Sequence, residues 1–213
     1  MMKQYHKTLI LTSIVTLLPV VLGLLLWKQL PDSITTHWGF DGTANGWSSK
    51  PMAVFGIPLF LLVIHWFCAL ATSADPKNKN FNGKPLQLVL WICPVMSLLC
   101  GLLIYAAALN YELDPALIMP LFLGLLFMVI GNYLPKCQQN YTIGIKVPWT
   151  LNSQENWNRT HRFAGIGWVI GGALIALTCF LQSPALMIAL ILALTFLPII
   201  YSYTYYLRYE KQT

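Results

Sequence analysis

His161 and Glu155, six residues apart in a polar stretch, are the nearest this chain comes to a general base with a carboxylate to orient it. Side chains on a helix meet at spacings of three or four, so six places the pair on different faces. Glu155 is better used by Arg159, four residues on, or by the start of a helix. No H-E-x-x-H or G-x-S-x-G pattern occurs, and no carboxylate lies inside a long apolar run. The residue types point away from an enzyme. Cys68, Cys93, Cys100, Cys137 and Cys179 include no C-x-x-C pair that would hold zinc, and they read as small apolar packing residues. No metal or cofactor is expected.

What remains is chemistry of recognition, and it is concentrated in two connectors. The longer, 135–162, offers Asn140, Gly144, Lys146, Trp149, Thr150, Trp157, His161 and Arg162, with Asn132 just before it. This is a polar, aromatic and mildly basic set, suited to a partner carrying acidic groups. Residues 141–147 favour extended backbone, and Gly144 permits a close approach. Asn152 with Glu155 three residues later fits a helix N-cap, so a helix is expected to begin near Ser153. The shorter connector holds His37, Trp38, Asp41 and Trp47, with Asp41-Gly42 and Asn45-Gly46 as turn dipeptides. Its aromatic residues suit either a membrane-interface belt or a surface for an external ligand. His65 is the one ionisable group well inside an apolar run. It reads as a neutral histidine bonded to a neighbouring helix, or as a proton-relay or ligand group.

The elements that must position these residues are transmembrane. Uncharged stretches run over 8–27, 51–74, 85–111 and 115–135, and a fifth, 163–207, is broken only at Gln182-Ser183-Pro184. A bilayer core takes about 20 apolar residues per helical crossing, so six spans are expected. Composition agrees: 57% of residues are hydrophobic and 9% charged, against about 25% charged in soluble domains. The net charge of +6 is a topology signal. Placing the N-terminus inside puts Lys3, Lys7, Lys77, Lys79, Lys84, Lys136, Lys146, Arg159, Arg162, Arg208 and Lys211 inside, leaving only Lys28 and Lys50 outside. The expected fold is an all-α polytopic membrane protein, a six-helix bundle with both termini cytoplasmic. The connector at 75–84, with Pro76, Asn78, Asn80 and Gly83, reads as a topology anchor alone. Gly165, Gly167, Gly171 and Gly172 give the small-residue spacing of close helix packing. Direct binding of nucleic acid is not expected.

Gly131-Asn132, Pro135, Asn140, the run Ile143-Gly144-Ile145-Lys146-Val147-Pro148-Trp149-Thr150-Leu151, Trp157, His161-Arg162 and Gly165 resemble the signature of the SdpI-type bacterial immunity proteins. Leu30-Pro31-Asp32, His37-Trp38, Gly42 and Trp47 resemble the small membrane module that often precedes it. The resemblance implies an N-terminal two-helix module over 1–84 with a folded outer loop. A four-helix region over 85–213 would follow, carrying the motif loop 135–162 on the cytoplasmic side. It further implies a protein of the bacterial cytoplasmic membrane that protects its cell against a secreted antimicrobial peptide, in some cases signalling through a cytoplasmic transcriptional repressor. Lys146 departs from the arginine the resemblance suggests, and lysine lacks the planar two-pronged fork. The residues alone leave a second reading open, a small multi-pass transporter or exporter.

Overall fold

A computed structural model describes residues 2–77 and 84–211; the turn expected at Asn78, Asn80 and Gly83 and the lysine at 79 lie outside them. Six helices among the described residues are long and apolar enough to cross a membrane. They are built on α1 (Met2–Leu25), α2 (Ile57–Ser73, which spans as Met52–Ser73 with the helical turn before it), α3 (Lys84–Ala108), α4 (Pro115–Tyr133), α6 (Gln154–Leu181) and α7 (Pro184–Tyr209), with a short α5 (Pro148–Asn152) before α6. Large apolar side chains stand on their outer surfaces, Phe67 70% and Phe180 73% exposed. In water that would be a liability, whereas against acyl chains it is the lipid face. The chain is a multi-pass membrane protein, and it divides into two compact units.

The first unit holds residues 1–73 and 86–116. The connector after α1 folds as a hairpin of β1 (Ser33–Trp38) and β2 (Ala44–Ser49), antiparallel, with irregular register around His37. The all-helical expectation therefore describes the spans and omits this ribbon. Only one of the two turn dipeptides turns the chain. Gly42 takes φ 77°, while Asn45-Gly46 lies within β2 opposite His37. A Cβ at Gly46 would stand 2.9 Å from that of His37, so the missing side chain serves strand approach. A π-helical turn, Met52–Gly56, leads into α2. The hairpin rests on Leu30, Ile34, Ala53, Val54, Ile104 and Tyr105, all buried.

A seam of hydroxyls runs down the same unit. The Thr12 hydroxyl meets His65 Nε2 at 3.0 Å, Ser97 donates to the Thr16 carbonyl at 2.7 Å, and Tyr105 donates to the Pro19 carbonyl at 2.7 Å. Hydrocarbon supplies no partner for such groups, so they pair across helices.

The second unit holds residues 74–85 and 117–213. The tight turn at 182–184 makes α6 and α7 a helical hairpin, with Gln182 at φ 45° and Ser183 accepting from the Leu186 amide at 3.4 Å. Glycines set the crossing of α4 and α6. A Cβ on Gly172 would stand 2.6 Å from the Gly124 carbonyl oxygen, and one on Gly165 would stand 2.8 Å from that of Gly131. The two pairs are spaced seven residues apart on each helix, so the backbones meet along one stripe. Gly171 faces Leu194 of α7, and Gly167 faces open space.

Candidate functional site

Residues 137–153, which include the short α5, form a loop whose polar groups are mostly paired within it or with Asp75, Lys77, Trp157 and His161, the buried Trp149 indole N–H having no partner among the described residues. The Asn140 Oδ1 accepts the amides of Thr142 (2.8 Å) and Ile143 (2.6 Å), while its Nδ2 donates to the carbonyls of Gln138 (2.8 Å) and Ile143 (2.9 Å). One asparagine thereby uses both ends to fold the chain back on itself. Gly144 follows with φ 113°, and a Cβ there would collide with His161 Nε2. That nitrogen accepts the Ile145 amide at 2.9 Å, and His161 Nδ1 lies 2.8 Å from the Trp157 carbonyl. One ring nitrogen accepts and the other donates, so the imidazole is neutral and its tautomer is set by its partners. Trp157 stacks on the same ring at 3.9 Å and donates to the Cys137 carbonyl at 2.8 Å. Thr150 accepts the Val147 amide at 3.1 Å and reaches the Ile145 carbonyl at 2.8 Å.

The structure thus brings Asn140, Gly144, Thr150, Trp157 and His161 together as one interior network. Asn140 is 1%, His161 1% and Trp157 0% exposed, so these residues shape the loop from beneath. Lys146 and Tyr141 are exposed, with Lys146 donating to the Thr142 carbonyl at 2.9 Å. Trp149 is half-buried against Tyr203 and Tyr206 of α7. Asn132 and Arg162 are exposed on their helices and lie outside the network. Cys137 is buried, and burial pushes its thiol up to about 11. The thiolate needed for nucleophilic or metal chemistry is correspondingly scarce.

The capping expectation shifts by one residue. Asn152 closes α5, and Ser153 accepts the Asn156 amide at 3.1 Å to cap α6. The Glu155–Arg159 pair forms as its spacing implied, at 2.9 Å. Asp75 has a larger part than the anchor role expected of its connector. One carboxylate oxygen accepts the Tyr141 amide at 2.7 Å and the Thr142 hydroxyl at 3.0 Å, and the other accepts the Lys77 amide at 2.9 Å. Lys77 donates to Gln139 (3.2 Å) and the Leu151 carbonyl (3.0 Å). A short Asp75–Lys77 segment therefore straps the loop from a distant part of the sequence. The sequence signal was a lone acid in an otherwise basic connector. Asn156 was also missed: it donates to the Ser202 carbonyl at 3.1 Å and accepts the Ser202 hydroxyl at 2.9 Å, tying α6 to α7.

In the first unit, His37 bonds Asn45 across the hairpin, and both are exposed. Asp41 accepts the hydroxyl (2.7 Å) and amide (3.0 Å) of Thr43. Those bonds hold its carboxyl below the usual range. Trp38 packs on the apolar cluster beneath, whereas Phe40 and Trp47 project outward, 63% and 60% exposed. His65 is fully buried, its Nδ1 without a partner among the described residues. Those residues hold no cluster of three metal-binding side chains.

With this geometry in place, comparison with known proteins gives a consistent pattern. Residues 136–202 match the SdpI/YfhL protein family, and residues 14–62 match a domain of unknown function, DUF1648. Across 207 residues the chain is 29% identical to the "Immunity protein SdpI" of Bacillus subtilis (strain 168), covering 94% of this chain and 96% of that protein. No solved structure matches it.

Proposed function

We propose, taking as premise that this is an SdpI-type membrane protein, that it protects its cell against a secreted antimicrobial peptide. The observation that carries the reading is the similarity to an immunity protein along nearly the whole of both chains. In the proposed arrangement both termini are cytoplasmic, as the lysine and arginine distribution favours. The hairpin then faces outward, presenting Phe40 and Trp47 beside His37 and Asp41. Two rigid aromatic residues on a braced ribbon suit an amphipathic peptide arriving at the membrane surface. The loop 137–153 faces the cytoplasm, where exposed Tyr141 and Lys146 offer a docking face to an acidic partner such as a transcriptional repressor. Asn140, Trp157 and His161 would act through the shape they give that loop.

The test is survival of deletion and complemented strains against a panel of membrane-active peptides. Deletion should sensitise cells to one peptide selectively. Complementation with Phe40→Ala/Trp47→Ala should fail to restore protection although the protein still reaches the membrane. Uniform survival across the panel would overturn the immunity reading, and full protection by the double variant would overturn the assignment of the hairpin.

A further inference from the structure

A cavity of about 390 Å³ opens between α6 and α7, at the level where the charged first turns of α6 give way to its apolar body. Its lining divides by chemistry into a polar set, the wall, of Glu155, Asn158, Arg159 and Arg162, and an apolar set, the floor, of Phe163, Ile166 and Tyr201. The floor is built rather than incidental, because the Phe163 and Tyr201 rings stack at 4.5 Å with 9° between planes. Ile166 is 61% exposed on a membrane-spanning helix and so borders lipid.

The charges are unequal. Arg159 is engaged by Glu155 at 2.9 Å and lies 5.2 Å over the Tyr205 ring. Arg162, in contrast, makes no ion pair among the described residues. The wall therefore keeps one uncompensated guanidinium, a planar fork matched to two phosphate oxygens. The volume falls at the lower end of ligand-pocket sizes, enough for a headgroup and the start of its chains.

We propose that this cavity binds the phosphodiester of an anionic membrane phospholipid. Arg162 supplies the paired donors, Asn158 adds a neutral one, and the Phe163–Tyr201 stack with Ile166 seats the proximal acyl carbons. Basic pockets between membrane helices recognise anionic headgroups in this way. A free phosphate would use the wall and leave the apolar floor empty. The assignment gives Arg162 to the bilayer rather than to a soluble partner, and it does not depend on the immunity reading.

Native mass spectrometry of the full chain, purified in detergent and titrated with dioleoylphosphatidylglycerol, tests this without any antimicrobial peptide present. One retained lipid per chain is expected, with dioleoylphosphatidylcholine, whose quaternary ammonium would be repelled by Arg159 and Arg162, retained several-fold less. Arg162→Gln should lower retention about tenfold, the scale of one lost charged hydrogen-bonding group, while leaving thermal unfolding unchanged. Glu155→Gln, which releases Arg159 from its pair, should raise retention, a gain that misfolding cannot produce. Equal retention by Arg162→Gln and the native chain would overturn the site. So would equal retention of the two lipids, or competition by tail-less glycerophosphoglycerol at matched concentration.

Discussion

Gly144 is the residue on which the loop turns, and its demands are steric at two levels. Its backbone lies in a region that L side chains rarely adopt, and the space a Cβ would fill is held by His161. Gly144→Ala should cost about 1 to 3 kcal/mol in backbone strain alone and release the Ile145 amide from His161, seen as faster hydrogen exchange at that amide. Asp41 makes a prediction of the opposite kind, about pH. Its carboxyl is held low by Thr43, so the ionised turn is fully in place above the ordinary carboxylate range and is lost only as pH falls through the lowered value. Tryptophan fluorescence from the hairpin should stay flat through the ordinary range and change below it, whereas Asp41→Ala should show no such step. At this scale the sequence revealed which residues matter better than what they do. Trp157, His161 and Asn140 stood out as types, but type does not give direction. Their burial goes with the close approach of Gly144 and the Trp157 bond to Cys137, in a loop strapped by the distant Asp75.

Among elements, the body of every span was legible, because hydrocarbon penalises charge so steeply that charge-free runs mark helix bodies, although the ends differ, α1 running Met2–Leu25 against the expected 8–27. Expected 115–135 became Pro115–Tyr133, and the break at 182–184 became the turn into Pro184–Tyr209. The hairpin was visible only as a compact loop, since Asn45-Gly46 mimics a turn while serving as strand. The α4–α6 stripe was half visible, as glycine spacing on one helix without its partner. That stripe supplies a paired prediction: Gly172→Val should lower thermal stability and membrane abundance sharply. Gly167→Ala, on the same helix but facing open space, should be neutral or mildly stabilising. The strap makes another. Asp75→Ala removes a buried acceptor from three donors and should loosen the loop by about 2 to 3 kcal/mol, measured as protease cutting near Tyr141 while α6 and α7 stay intact.

For the molecule as a whole, the orientation is the quantity on which both proposed faces depend. Asn152→Cys is a suitable reporter because Asn152 is exposed, whereas Ser153 is committed to capping α6. An impermeant maleimide applied to intact cells should leave Asn152→Cys unlabelled and should label it after lysis; labelling from outside would reverse the proposed sidedness. Native Cys137 should react slowly in either case, its thiol being pushed up by burial. In the proposed docking role, the loop 137–153 also separates two jobs that many recognition loops combine. Its internal wiring is carried by Asn140, Thr150, Trp157, His161 and Asp75, and its outward surface by other residues, among them Tyr141 and Lys146. Selection can therefore redraw the surface for a new interlocutor without renegotiating the scaffold. Lineages in which that cytoplasmic partner changes should show rapid drift at Tyr141 and Lys146 above a nearly frozen interior.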